Sequence, residues 1–131
     1  VSKLFIPIGF DLKKLIHSFC EFEEIKLHNK YSNNLNYYKT IKILNNEKFI
    51  DGKFFLMSES KRFTPTISEI YYEFYENKKE LIKYLKTKSE NLQCIVSNSI
   101  CKNHVNFGDT QNPKLSDYAD NIDTLKFLLT N

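Results

Sequence analysis

The 131 residues are 41% hydrophobic and 27% charged, with 11 Phe, 8 Tyr and no Trp, which excludes a disordered chain and predicts a globular domain with an aromatic-rich core. The formal net charge is only +3, and 18 Lys are interleaved with Glu while Arg62 is the one arginine, so the concentrated basic face of a nucleic-acid binder is not expected. No apolar run approaches the roughly 18 residues of a membrane span, no signal peptide precedes the first strand, and three cysteines (Cys20, Cys94, Cys101) without a CxxC pair point to a reducing, cytoplasmic setting.

In chain order, Leu4 to Ile8 (LFIPI) reads as a short buried strand. Asp11 is positioned to cap a helix, and Leu12, Leu15, Ile16 and Phe19 recur at i, i+3, i+4 and i+7, the apolar stripe of that helix. His28 to Lys39 (HNKYSNNLNYYK) fits neither helical nor strand periodicity and is expected to be an ordered loop. Thr40 to Leu44 is a candidate strand. Lys48 to Ile50 and Lys53 to Met57 flank Asp51-Gly52, a pair suited to a type I′ hairpin turn, where both central residues take positive φ.

Pro65 precedes a β-prone run, Thr66 to Tyr75, with Ile70, Tyr72 and Phe74 on one face and Tyr71, Glu73 and Tyr75 on the other. Asn77 with Glu80 resembles a capping box for a helix over 78–88 that carries Leu81, Ile82 and Leu85 inward. Gln93 to Ser97 (QCIVS) reads as a buried strand with Cys94 as packing. Strand, helix and strand together predict a βαβ unit with a parallel pair. Asp120 is expected to cap a final helix bearing Ile122, Leu125, Leu128 and Leu129. The class is α/β, and no linker, repeat or domain boundary stands out.

Chemistry-bearing motifs are sparse. Cys101 and His104 form a Cys-x-x-His pair, but a structural zinc site needs four ligands, and no second pair is suitably spaced; no metal is expected. Cys20, at the end of the first helix, reads as structural, and His17 beside the apolar stripe as a surface residue. The aspartates Asp109, Asp117, Asp120 and Asp123 do not follow the calcium-loop pattern and read as turn and cap residues. No GxGxxG or Walker loop is present. His28, Asn29 and Lys30 open a segment of amides, phenols and ammonium groups and are candidates for polar contacts to a ligand.

The segments NKYSNNLNYYKTIKILNN (29–46), FIDGKFFLM (49–57), TPTISEIYYEFYENKKELIKYL (64–85), LQCIVS (92–97) and FGDTQNPKLSDYADNIDTLKFLL (107–129) resemble, in order, the C-terminal portion of the acyl-CoA reductases related to the fatty-acid reductase of bacterial luminescence. Those enzymes belong to the aldehyde dehydrogenase superfamily. The resemblance implies part of an aldehyde-dehydrogenase-like fold: βαβ units, a β-hairpin and a C-terminal helix, with 1–131 forming a single partial domain. It implies an oxidoreductase that reduces an acyl-CoA, a fatty acyl thioester, to an aldehyde with NADPH through an acyl-cysteine intermediate.

On this expectation the nucleophilic Cys lies shortly before Val1 and the dinucleotide-binding domain further upstream. This chain would then hold no catalytic residue and be inactive alone. Phe107 and Gly108 resemble the Phe-Gly near the substrate channel. Thr64 and Pro65 resemble the cofactor-side Phe-Gly-Pro loop, in which Thr64 replaces the Gly. Lys61 stands where the wider group has a Glu that contacts the nicotinamide ribose. A homo-oligomer is an open expectation for the complete enzyme. The residues alone also fit a small stand-alone binding or immunity-type module using HNKYSNNLNYYK as its contact surface. A weaker alternative is single-stranded RNA binding through the Tyr and Lys side chains of that segment, since aromatic platforms stack bases.

Overall fold

The computed structural model describes residues 1–98, 104–115, 117–118 and 122–130. The chain divides into two compact units, Val1–Glu76 and Asn77–Asn131.

The first unit is built on a four-stranded mixed sheet of order β1-β4-β3-β2. Its strands are β1 (Lys3–Pro7), β2 (Ile50–Asp51), β3 (Leu56–Glu59) and β4 (Glu69–Tyr75). β4 lies parallel to both β1 and β3, and β2 runs antiparallel to β3. The helix α1 (Leu12–Ser18) starts where Asp11 accepts a hydrogen bond from the Lys13 N–H, satisfying one of the donors a helix start leaves open. The stripe Leu12, Leu15, Ile16 and Phe19 packs on a core of Phe54, Phe55 and Met57, as do Leu4, Ile50, Ile70 and Tyr72 from the strands. Phe19 meets Phe55 edge-to-face at 5.3 Å. Leu56 and Met57 are fully buried, each worth roughly 1.5–3 kcal/mol of apolar transfer.

Two expectations in this unit are overturned. The segment predicted as a loop (His28 to Lys39) and the strand predicted over Thr40 to Leu44 are one helix, α2 (Asn29–Leu44), capped by His28, whose ring accepts from the Tyr31 N–H. Its inward stripe is Tyr31, Leu35, Tyr38 and Lys42, at i, i+4, i+7 and i+11. Only Leu35 in that set is aliphatic, so an apolar count does not see the helix. Leu35 and Lys42 are buried, and the Tyr31 hydroxyl donates to the Phe54 carbonyl at 2.9 Å.

The hairpin at Asp51-Gly52 forms, but not with a two-residue turn. Ile50 pairs with Met57 and Asp51 with Leu56, leaving Gly52 to Phe55 as a four-residue loop closed by the Gly52 N–H on the Phe55 carbonyl at 2.9 Å. The positive φ falls on Lys53 (72°), whose N–H is held by the Asp51 carboxylate at 2.9 Å. Burial of Phe54 and Phe55 selects the longer loop. Gly52 is required for space: a Cβ there would sit 2.5 Å from the Phe55 ring.

Among the described residues β1 pairs with β4 alone. The Tyr71 N–H donates to the Ser2 carbonyl and the Ile8 N–H to the Tyr75 carbonyl. Residues 2 and 8 therefore point their backbone at β4, and by alternation Lys3, Phe5 and Pro7 point theirs away.

In the second unit, α3 (Lys78–Thr87) is capped by Asn77, which accepts from the Lys79 N–H, and buries Leu81 and Leu85. The predicted strand at Gln93–Ser97 is not one. Val96 forms an isolated parallel bridge with Val105, and Cys94 is exposed rather than packed. The βαβ expectation fails for a geometric reason: both edges of β4 are already taken, by β1 and β3. A last helix, α4 (Thr124–Leu129), is capped by Asp123 through the Lys126 N–H. Asp120, the predicted cap, lies outside the described residues. Leu125, Leu128 and Leu129 are exposed, and Ile122 precedes the helix.

Candidate functional site

β3 ends at Glu59, while its parallel neighbour β4 continues to Tyr75. Open α/β sheets bind ligands in the crevice beyond the carboxyl ends of their parallel strands. An open cleft of about 540 Å³ lies there, lined by Lys48, Phe49, Ile50, Glu59, Ser60, Lys61, Tyr72 and Glu73. The strands fix its floor: Tyr72 packs on the core and meets Phe74 edge-to-face at 5.6 Å. Burial raises the Tyr72 phenol above its ordinary pKa, and the Glu59 carboxylate raises it further. At the rim, Ser60 accepts from the Arg62 N–H, setting the turn in which the chain leaves β3.

Glu73 is not free for a ligand. Lys3, its side chain 3% exposed, donates to it at 2.6 Å. The Lys3 ammonium also lies 4.9 Å from the centre of the Phe5 ring and 4.7 Å from that of Phe63, the range of cation–π attraction.

Lys42 and Glu69 form a buried ion pair that is joined by the exposed Glu47. The Lys42 ammonium reaches Glu69 at 2.8 Å and Glu47 at 3.0 Å. Glu69 also accepts from the Ser58 hydroxyl at 2.7 Å and the Thr66 hydroxyl at 2.8 Å, with its side chain wholly buried. Burial by itself pushes the Glu69 carboxyl up, but the hydrogen bonds from Lys42, Ser58 and Thr66 outweigh it and hold the group below the ordinary value. Burial likewise pulls Lys42 down, and the bonds to Glu69 and Glu47 leave it above the ordinary lysine value. Each group keeps its charge because the other does. Ser68 sits beside this network with φ of 69°, and its hydroxyl is buried with no partner among the described residues.

The sequence-predicted site residues are dispersed. Thr64 is exposed and Pro65 half-buried, both on the Ser60–Ser68 link whose first residues line the cleft. His28 is the cap of α2, with Asn29 and Lys30 exposed in its first turn; none of the three lines the cleft. Phe107 is 67% exposed and Gly108 takes φ of 90° ahead of a 3-10 turn, Asp109–Gln111; both belong to the second unit. Asp117 accepts from the Lys114 N–H and Asp123 caps α4, so these two serve turn and cap. Cys20, expected to be structural, is exposed; Cys101 lies outside the described residues. Among those residues no cluster of His, Cys, Asp or Glu could hold a metal, and no helix is long and apolar enough to cross a membrane.

Sequence reasoning missed Lys42, Lys48, Glu59, Glu69 and Tyr72. The available signal was the abrupt change from apolar to polar in LMSES, where a buried strand gives way to its carboxyl-end loop. Set against protein-family models, curated proteins and solved structures, the chain matches none.

Proposed function

We propose that the chain supplies part of the catalytic lobe and the closing tail of an NADPH-preferring acyl-CoA reductase. The observation that carries this reading is the ordered resemblance of five segments between residues 29 and 129. Support comes from the mixed α/β sheet and from the position of Thr64 and Pro65 on the link whose first residues line the cleft.

The reaction on this reading is attack of a Cys thiolate on the acyl thioester, loss of the coenzyme and release of an aldehyde after reduction. The reduced nicotinamide supplies the hydride when bound. The nucleophile is assigned to polypeptide outside this chain. Within it, Thr64 and Pro65 would shape the cofactor side, and Phe107 and Gly108 the acyl channel.

Reading the coding DNA immediately upstream of the Val1 codon tests this. The expected result is an open frame with a Cys codon a short distance upstream, whose complete product oxidises NADPH only when acyl-CoA is supplied. The 131-residue chain alone should not. A start codon adjoining Val1, or a complete product without acyl-CoA-dependent NADPH oxidation, overturns the reading in favour of a binding module.

A further inference from the structure

We propose that the second unit, Asn77–Asn131, rests on an anionic lipid bilayer, with the lysines of α3 drawn to the headgroups and the apolar side chains of α4 seated in the interface. The inference stands on these two helices and does not need the reductase reading.

α3 supplies the charge. Leu81 and Leu85 are buried and fix the helix to its unit. Lys79, Lys83 and Lys86 recur at i, i+4 and i+7, so they form one stripe, and all three are exposed. None of the three ammonium groups has an ion-pair or hydrogen-bond partner among the described residues. Such a row is complementary to a surface of negative charge, and each lysine close to an anionic leaflet strengthens binding roughly fivefold.

α4 supplies the apolar contact. Leu125, Phe127, Leu128 and Leu129 make up most of this short helix, and all four are exposed, Leu129 by 84%. By the helical period Leu125, Leu128 and Leu129 share one face and Phe127 stands on another. A rigid groove would cover one of these faces, whereas a fluid interface covers both. Length excludes spanning: six residues rise about 9 Å against a hydrocarbon core of about 30 Å. The helix is therefore suited to lie in the boundary between headgroups and acyl chains. A second copy of the chain is the poorer occupant, because it carries the same cationic stripe and leaves that charge unanswered.

Co-sedimentation of the 131-residue chain with unilamellar vesicles tests this, using equal parts of phosphatidylglycerol and phosphatidylcholine, or phosphatidylcholine alone. Binding should be saturable on the mixed vesicles, at least about tenfold weaker on the neutral ones, and weakened by added salt, which screens exposed charge. Lys79→Gln/Lys83→Gln/Lys86→Gln should weaken binding to mixed vesicles roughly a hundredfold. Leu125→Ser/Leu128→Ser should weaken it roughly tenfold or more through lost apolar contact. Both sets lie at exposed positions, so their thermal unfolding should match the parent chain. The chain has no Trp, so Phe127→Trp places a single indole on α4, and its emission should shift to the blue when mixed vesicles are added. Absence of binding to mixed vesicles, equal binding to both kinds, indifference to either set of substitutions, or an unshifted emission in the bound chain overturns the proposal. So does a dimer in equilibrium sedimentation that the leucine substitutions dissociate, which would assign α4 to a second copy.

Discussion

Replacing Lys42 by Met tests whether α2 is held to the sheet by charge. At 2.8 Å the Lys42–Glu69 attraction amounts to roughly 6 kcal/mol gross at an effective dielectric constant of about 20, opposed by the cost of removing both ions from water. The net worth of the intact pair is therefore small, but breaking it is not neutral. Met preserves most of the buried stem and leaves Glu69 fully enclosed, with only Ser58 and Thr66 to satisfy it. An uncompensated buried charge of this kind costs about 3–5 kcal/mol. At about 3–5 °C per kcal/mol for a chain of this size, the midpoint should fall by roughly 10–20 °C.

Urea and thermal unfolding, followed by far-ultraviolet circular dichroism at pH 7, measure this directly. The double variant Lys42→Met/Glu69→Gln removes both charges and should recover at least about 2 kcal/mol of the loss, a coupling of the size seen between directly bonded groups. A loss below about 1 kcal/mol in Lys42→Met, or a double variant no more stable than the single, would refute the reasoning.

Two further outcomes are expected. The Glu69 carboxyl titrates below its ordinary value of 4.5 in the folded chain, so its contribution is present above that pH and is lost as pH falls through the folded pKa; Lys42, raised above 10.5, contributes below that value and loses its share as pH rises through its own folded pKa. Stability against pH should thus plateau between these limits, and Glu69→Gln should flatten the acid limb in urea titrations; an unchanged acid limb would exclude Glu69 as its source. Gly52→Ala drives a Cβ against the Phe55 ring and should cost about 1–3 kcal/mol as overpacking, whereas Gly108→Ala, which meets open space at φ of 90°, should cost only about 1–2 kcal/mol of backbone strain; thermal midpoints in that order support the reading, and the reverse order contradicts it.

The sequence made some of this legible and concealed the rest for identifiable reasons. The stripe on α1 was readable because all four of its inward residues are apolar, and the caps at Asp11 and Asn77 because capping is a local interaction. α2 was hidden because two of its inward positions are tyrosines and a third is Lys42, which enters the interior only by virtue of Glu69, 27 positions away. A charge that is buried by its partner cannot be recognised before the partner is known. The hairpin was anticipated, but its loop length was set by the core's demand for Phe54 and Phe55, which turn propensity at Asp51-Gly52 does not register. The predicted βαβ unit failed through topology: β4 had already found two parallel neighbours, one of them β1 at the start of the chain. The cleft, assembled from three stretches of sequence at residues 48–50, 59–61 and 72–73, leaves no contiguous motif.

Pro7 gives the sheet a protection that its packing does not. Among the residues of β1 whose backbone points away from β4, Pro7 has no N–H to offer. An arriving strand would find its ladder interrupted at Pro7, with the ring standing where a donor is needed. This blunts the tendency of an exposed strand to template the addition of further chains. In the crowded, concentrated state in which a newly made chain folds, that missing hydrogen favours a sheet that stops at four strands over one that goes on growing.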